Sequence, residues 1–203
     1  DMIDRGAKVI LVACNTATSS AIKDMRQKYD LPIVGMEPAL KPAVESVPDG
    51  DILVLGTSFT ISEEKYLALL KRFKDRHNII SFPFPGIVEF LEKGELDGEA
   101  MDAHIAEILD KIDTRRFGAV VLGCTHYVYL RNSLRKYFKT GVKFFDGNTG
   151  TARRLQWMLQ QKGLLSGETI PLENQITIDT SGDAGHVLPL CHMLLNKCSN
   201  DLH

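Results

Sequence analysis

No apolar run in this 203-residue chain approaches the roughly 18 residues that a helix needs to span a bilayer. The opening residues, DMIDRG, lack the basic-then-apolar pattern of a secretory signal. There is no excess of positive charge: the net charge is −2 and the pI is near 6.3, which leaves no electrostatic footprint for nucleic acid. The glycine patterns that cradle nucleotides, GxGxxG and GxxxxGK followed by Ser or Thr, are both missing. Cysteine is scarce, at four residues (Cys14, Cys124, Cys191 and Cys198), and without an export signal these read as free thiols rather than a disulfide framework. The expectation is a soluble, cytoplasmic protein that binds neither nucleic acid nor membrane. What is present fits that reading, since 44% hydrophobic and 25% charged residues are ordinary for a globular chain. The length suffices for one large domain or two small ones.

Short β-rich apolar runs are predicted as strands at Lys8–Ala13, Pro32–Met36, Asp51–Leu55, Asn78–Phe82, Ala119–Leu122, Val142–Phe145 and Gln175–Asp179. Amphipathic stretches at Ser19–Tyr29, Ser62–Lys74, Gly98–Ile112, Arg131–Phe138, Thr149–Lys162 and Gly185–Lys197 alternate with them as helices. Strand-helix alternation of this kind predicts an α/β layered fold with mainly parallel strands. Pro and Gly signals at Glu37-Pro38-Ala39 and Phe145-Asp146-Gly147-Asn148 mark boundaries. Trp157, set among Leu155, Met158 and Leu159, reads as core, and the run from Lys71 to Arg76 reads as the solvated end of a helix.

Two stretches stand apart. In VILVACNTATSS (9–20) an apolar strand runs into Cys14 and then into small and hydroxyl residues, and AVVLGCTH (119–126) repeats the layout around Cys124, 110 positions later. In open parallel sheets ligands bind beyond the carboxyl ends of strands, where helices begin, and a thiol at a helix N-terminus is made more acidic by the dipole and free N–H groups. A single cysteine after a strand is as easily a small core residue, but two, each followed by polar groups, point to chemistry. A third strand end, ILVLGTSFT (52–60), puts Thr57 and Thr60 where hydroxyls and N–H groups could hold a carboxylate, or simply cap a helix. Cys191 and Cys198, with His186, His192 and His203, lack a zinc spacing, so no metal site is expected.

These residues carry a resemblance. VACNTATS (12–19) and LGCTHY (122–127) resemble the two cysteine signatures of the glutamate racemases, within the aspartate/glutamate racemase superfamily. VGMEPALKPA (34–43), GTSFT (56–60), PGIVEFLEKGEL (85–96) and TSGD (180–183) follow in family order. The resemblance departs at Val128, where the family usually has Pro, and at Phe84, where relatives often have Cys. The family's first strand with its D-S-G segment, and a Tyr-Gly substrate loop, have no counterpart here. With Asp1 in place of Met, this leads us to expect an N-terminally incomplete chain.

The resemblance implies two pseudo-symmetric α/β domains with the active site in the cleft between them. They divide as residues 1–38 (part of the first domain), 39–145 (the second) and 146–203 (a return segment completing the first). It also implies a homodimer, and an isomerase that interconverts L- and D-glutamate for peptidoglycan without pyridoxal phosphate, metal or nucleotide. Inversion at a carbon needs a proton removed from one face and supplied to the other, which one thiolate and one thiol can do. By resemblance Cys14 deprotonates D-glutamate and Cys124 L-glutamate. Asn15, Thr16, Thr57, Thr60 and Thr125 bind substrate, while Glu89 and His126 assist the thiols. A sister racemase acting on aspartate or a related acid, and a non-catalytic binding or regulatory protein on the same fold, remain open at this level.

Overall fold

The computed structural model describes residues 1–48, 50–167 and 175–200, with side chains to residue 197. Among the described residues, six strands lie in two parallel sheets. The first sheet pairs β1 (Ile10–Val12) with β2 (Ile33–Gly35), joined by helix α1 (Asn15–Lys28). The second has the order β4-β3-β5-β6, built from β3 (Asp51–Gly56), β4 (Ile79–Pro83), β5 (Phe117–Leu122) and β6 (Lys143–Asp146). The expected strands are present within a residue or two of their limits, with one exception. Residues 176–180 form no strand. Strand propensity is realised only where a neighbouring strand accepts the ladder, and this segment is instead tied by an Arg5–Asp179 ion pair of 2.8 Å.

Strands β3 and β5 read as unbroken apolar runs because both of their faces are covered. Leu53, Leu55, Val120 and Leu122 face one core, with Phe84, Ile87, Leu91, Met101, Ile105 and Tyr127. Their alternating neighbours Ile52, Val54, Ala119 and Val121 face another, with Leu40, Val44, Tyr66 and Phe73. Helices α5 (Ile87–Glu92) and α6 (Glu99–Leu109) supply much of the first core. Helices α2 (Leu40–Ser46) and α4 (Glu64–Lys71) supply the second. Helix α4 follows the short α3 (Ser58–Ser62), and α7 (Arg131–Arg135) carries Leu134 into the first core. At the end of α4 and just past it, Lys71, Arg72, Lys74, Asp75 and Arg76 are exposed as expected, while Phe73 turns inward.

Helix α8 (Asn148–Gln161) follows β6 and packs against β2, so the chain returns to the first sheet. Trp157 on this helix is not core: it is 48% exposed, with the Arg154 guanidinium 4.3 Å from its ring centroid. An apolar stripe marks a helix face, and only the packing decides whether that face is covered. The last helix, α9 (Ala184–Asn200), lies by α5, with the His186 ring bonded to the Glu92 carbonyl at 3.0 Å.

Candidate active site

The strand order places the site. The chain leaves β3 toward β4 on one side and later returns to lay β5 on the other, so a topological switch point falls between β3 and β5 at their carboxyl ends. Leu55 lies opposite Leu122, and the Gly123 N–H donates to the Leu55 carbonyl at 2.7 Å. A Cβ on Gly123 would lie 2.7 Å from that oxygen, so only glycine allows the approach. The result is that Thr57 and Cys124 leave the sheet side by side.

Thr57 caps α3, its hydroxyl accepting from the Thr60 N–H at 3.1 Å and donating to the Thr60 hydroxyl at 2.9 Å. Thr16, in the first turn of α1, reaches across from the other sheet to within 3.1 Å of the Thr60 hydroxyl and 3.5 Å of that of Thr57. Three residues expected at the substrate, 44 positions apart at the extremes, therefore form one hydroxyl cluster. Asn15 is 5% exposed, and its Oδ1 is buried without a hydrogen-bond partner among the described residues.

Cys14 ends the loop after β1 and is the N-cap of α1. It is exposed, and no side-chain capping bond ties it down. The α1 dipole has no acidic side chain in its first turn to offset it, and Arg26 and Lys28 complement it at the far end. Cys124 also sits where a helical turn begins, but that turn differs from α1. Residues Thr125–Leu130 form a 3₁₀ turn, whose short length cannot build the dipole of α1. Cys124 is 9% exposed.

A titratable partner takes the place of a long helix. The His126 Nδ1 lies 3.7 Å from the Cys124 Sγ, and its Nε2 is 2.7 Å from the Glu92 carboxylate. The bond to Cys124 raises the imidazole, burial opposes it, and Glu92 raises it further, with the result pushed up to about 9. The ring is then a cation at neutral pH, able to hand a proton to the sulfur and take it back. The carboxylate against the ring is Glu92; Glu89, expected from the motif, stands one turn earlier on α5, and both are exposed. Spacing of i to i+3 puts both on one helix face, so an acidic pair in GIVEFLE was the available signal. Thr125 opens the 3₁₀ turn and is partly buried. Beneath it, the Tyr127 hydroxyl donates to the Phe84 carbonyl at 2.6 Å, and burial raises that phenol.

One cavity reaches the hydroxyl cluster and another lies between β2 and α8. The first, of about 190 Å³, is lined by Thr60, Ser19, Met36, Tyr66 and Leu69, and the second, of about 380 Å³, by Arg26, Glu37, Asp146 and Arg154 among others. Neither is lined by a cysteine, so the thiols are recognised by their chemistry rather than by concavity. Cys191 is half-buried, and the side chain of Cys198 and all of His203 lie outside the described residues. Among the described residues no group of three His, Cys, Asp or Glu side chains could hold a metal. No described helix is long and apolar enough to cross a membrane.

Comparison with known proteins agrees with this geometry. The profile of the Asp/Glu/Hydantoin racemase family matches residues 1–155. Glutamate racemase from Bifidobacterium animalis subsp. lactis is 38% identical over 201 residues, covering 97% of this chain and 77% of the relative. Glutamate racemase from Clostridium botulinum is 35% identical over 195 residues, 96% of this chain and 75% of the relative. The chain thus spans about three quarters of the length of these relatives. The crystal structure of Escherichia coli glutamate racemase in complex with L-glutamate and activator UDP-MurNAc-Ala superposes with a TM-score of 0.76. It is 26% identical, covering 94% of this chain and 72% of that one. With two thiols at strand ends, shared hydroxyls between two parallel sheets and this likeness over nearly its whole length, the chain belongs to the Asp/Glu/Hydantoin racemase family.

Proposed function

We propose that the protein is a glutamate racemase, an isomerase that inverts the α-carbon of glutamate with Cys14 and Cys124 as the two acid/base groups. The observation that supports this is a thiol at the end of a strand in each sheet, Cys14 after β1 and Cys124 after β5, with a threonine cluster that links α1 to α3 between the two sheets. One thiolate removes the α-proton while the thiol on the other face supplies its replacement. His126, bonded to Glu92, serves the Cys124 face by exchanging a proton with the sulfur. The hydroxyls of Thr16, Thr57, Thr60 and Thr125 and the free N–H groups at the start of α1 suit the substrate carboxylates. The buried Oδ1 of Asn15, costly to leave unpaired at roughly 1–3 kcal/mol, suits the α-ammonium.

No lysine is marked for a Schiff base, so the carbanion is stabilised by oriented donors in place of pyridoxal phosphate. We propose a cytoplasmic homodimer of two domains divided near residues 38 and 145, supplying D-glutamate for peptidoglycan. The test is polarimetric assay of L- and D-glutamate with no added cofactor. Racemisation in both directions, abolished by Cys14→Ser and by Cys124→Ser, supports the reading. Activity that appears only with pyridoxal phosphate, or faster turnover of aspartate, overturns it.

A further inference from the structure

Two thiols acting on opposite faces of one carbon must stand at a fixed separation, yet they belong to different sheets. Behind the site a continuous line of contacts joins them. On the Cys14 side, Thr18 in the next turn of α1 is 1% exposed. Its hydroxyl donates to the Val12 carbonyl, just before the cysteine loop, at 3.1 Å and accepts from the Met36 N–H at 3.1 Å. Met36-Glu37 is where the chain crosses from β2 to α2. That crossing touches the other one, Asp146-Gly147, which leads from β6 to α8: a Cβ on Gly147 would fall 2.8 Å from the Glu37 carbonyl oxygen and 3.0 Å from the Met36 Cγ. The Asp146 carboxylate, largely buried, pairs with Arg131, and its other oxygen accepts the Asn148 N–H at 2.9 Å. Arg131 is the residue that terminates the 3₁₀ turn begun at Cys124.

We infer that the contact between the two crossings at Gly147 sets the spacing of Cys14 and Cys124, making Gly147 a positioning residue and the Arg131–Asp146 pair its link to the Cys124 turn. The inference rests on the two-thiol reading above. Gly147 has φ −79° and ψ −7°, ordinary right-handed backbone that alanine adopts without strain. Glycine is therefore not demanded by its own conformation. The one thing a methyl group meets is the opposite crossing, and a backbone carbonyl cannot rotate aside as a side-chain tip can. The crossings must part by some tenths of an ångström, which shifts one sheet against the other. Inversion needs both thiols within reach of one carbon at once, whereas a reaction on a single face needs only one.

The experiment compares the two reactions in Gly147→Ala. Inversion is followed as racemisation of glutamate. The single-face reaction is elimination from each enantiomer of β-chloroglutamate. There one thiolate takes the α-proton, chloride leaves with the C–Cl electron pair, and water converts the enamine to 2-oxoglutarate and ammonia. Racemisation should fall on the order of tenfold or more while elimination from both enantiomers stays within about twofold. Arg131→Ala should show the same split and Arg131→Lys should recover part of it, and this pair decides if Gly147→Ala fails to fold. Equal losses in both reactions, or no loss in either, overturn the inference. An unmodified protein that does not racemise glutamate overturns the two-thiol reading itself, before any variant is made.

Discussion

Cys14 and Cys124 follow matching strands with matching sequence, and the fold gives them different surroundings. Cys14 is exposed, caps a 14-residue helix and has the hydroxyl cluster nearby. Cys124 is buried over a 3₁₀ turn, where a cationic His126 and Glu92 stand in for the missing dipole. On the proposed two-thiol reading, one acid/base task is supported by backbone on one face and by a titratable relay on the other. On that reading the two half-reactions are equal in outcome and differ in what supports each thiol.

The comparison can be broken most sharply at the thiols. Cys14→Ser and Cys124→Ser should each lower racemisation by about 10²–10⁴-fold. Each should keep elimination from one enantiomer of β-chloroglutamate, with Cys14→Ser sparing the L form and Cys124→Ser the D form. Equal loss for both enantiomers in both variants would remove the two-face arrangement.

The relay comes next. His126→Gln should slow proton abstraction from L-glutamate by about 10²-fold and leave abstraction from D-glutamate nearly unchanged, read from solvent deuterium incorporation in each enantiomer. Glu92→Gln should act in the same direction with a smaller effect, and Glu89→Gln should be milder still. If Glu89→Gln proves the more damaging of the two, the assignment of the His126 partner is wrong.

A change in the hydroxyl cluster should affect both directions alike. Thr60→Val removes about 1 kcal/mol of hydrogen bonding and should raise KM roughly fivefold for both enantiomers. An effect confined to one enantiomer would place Thr60 on one face only.

The smallest effect expected is in pH dependence. The folded value of His126, about 9, lies above the ordinary 6.5, so the stabilisation from its protonated form is complete below 6.5 and is lost as pH rises through 9. Thermal denaturation should therefore show stability declining across that window, with the decline flattened in His126→Gln. The imidazole NMR titration should move down more in Cys124→Ser than in Glu92→Gln, because the sulfur is the larger cause.

Local pattern was enough for the strands that pair. ILVLG and AVVLG are apolar on every position because both faces are buried, and that signal survives without tertiary context. It failed at Gln175–Asp179, where propensity found no partner strand, and at Trp157, which is exposed while Leu155, Met158 and Leu159 beside it are half-buried. The cysteines, threonines and His126 were visible as residue types at strand ends. Sequence does not separate Glu92 from Glu89, because two carboxylates three positions apart share one face of α5 and only the packing of that helix puts one of them against His126.

The sequence by itself determined which residues could do chemistry and that they would stand at the carboxyl ends of parallel strands, since apolar period and turn residues are local properties. Tertiary structure alone decided which of them meet. Thr16 reaches Thr60 and His126 reaches Glu92 because two sheets and a helix are held at particular distances. Those distances come from packing between segments far apart in the chain, about which no local pattern carries information.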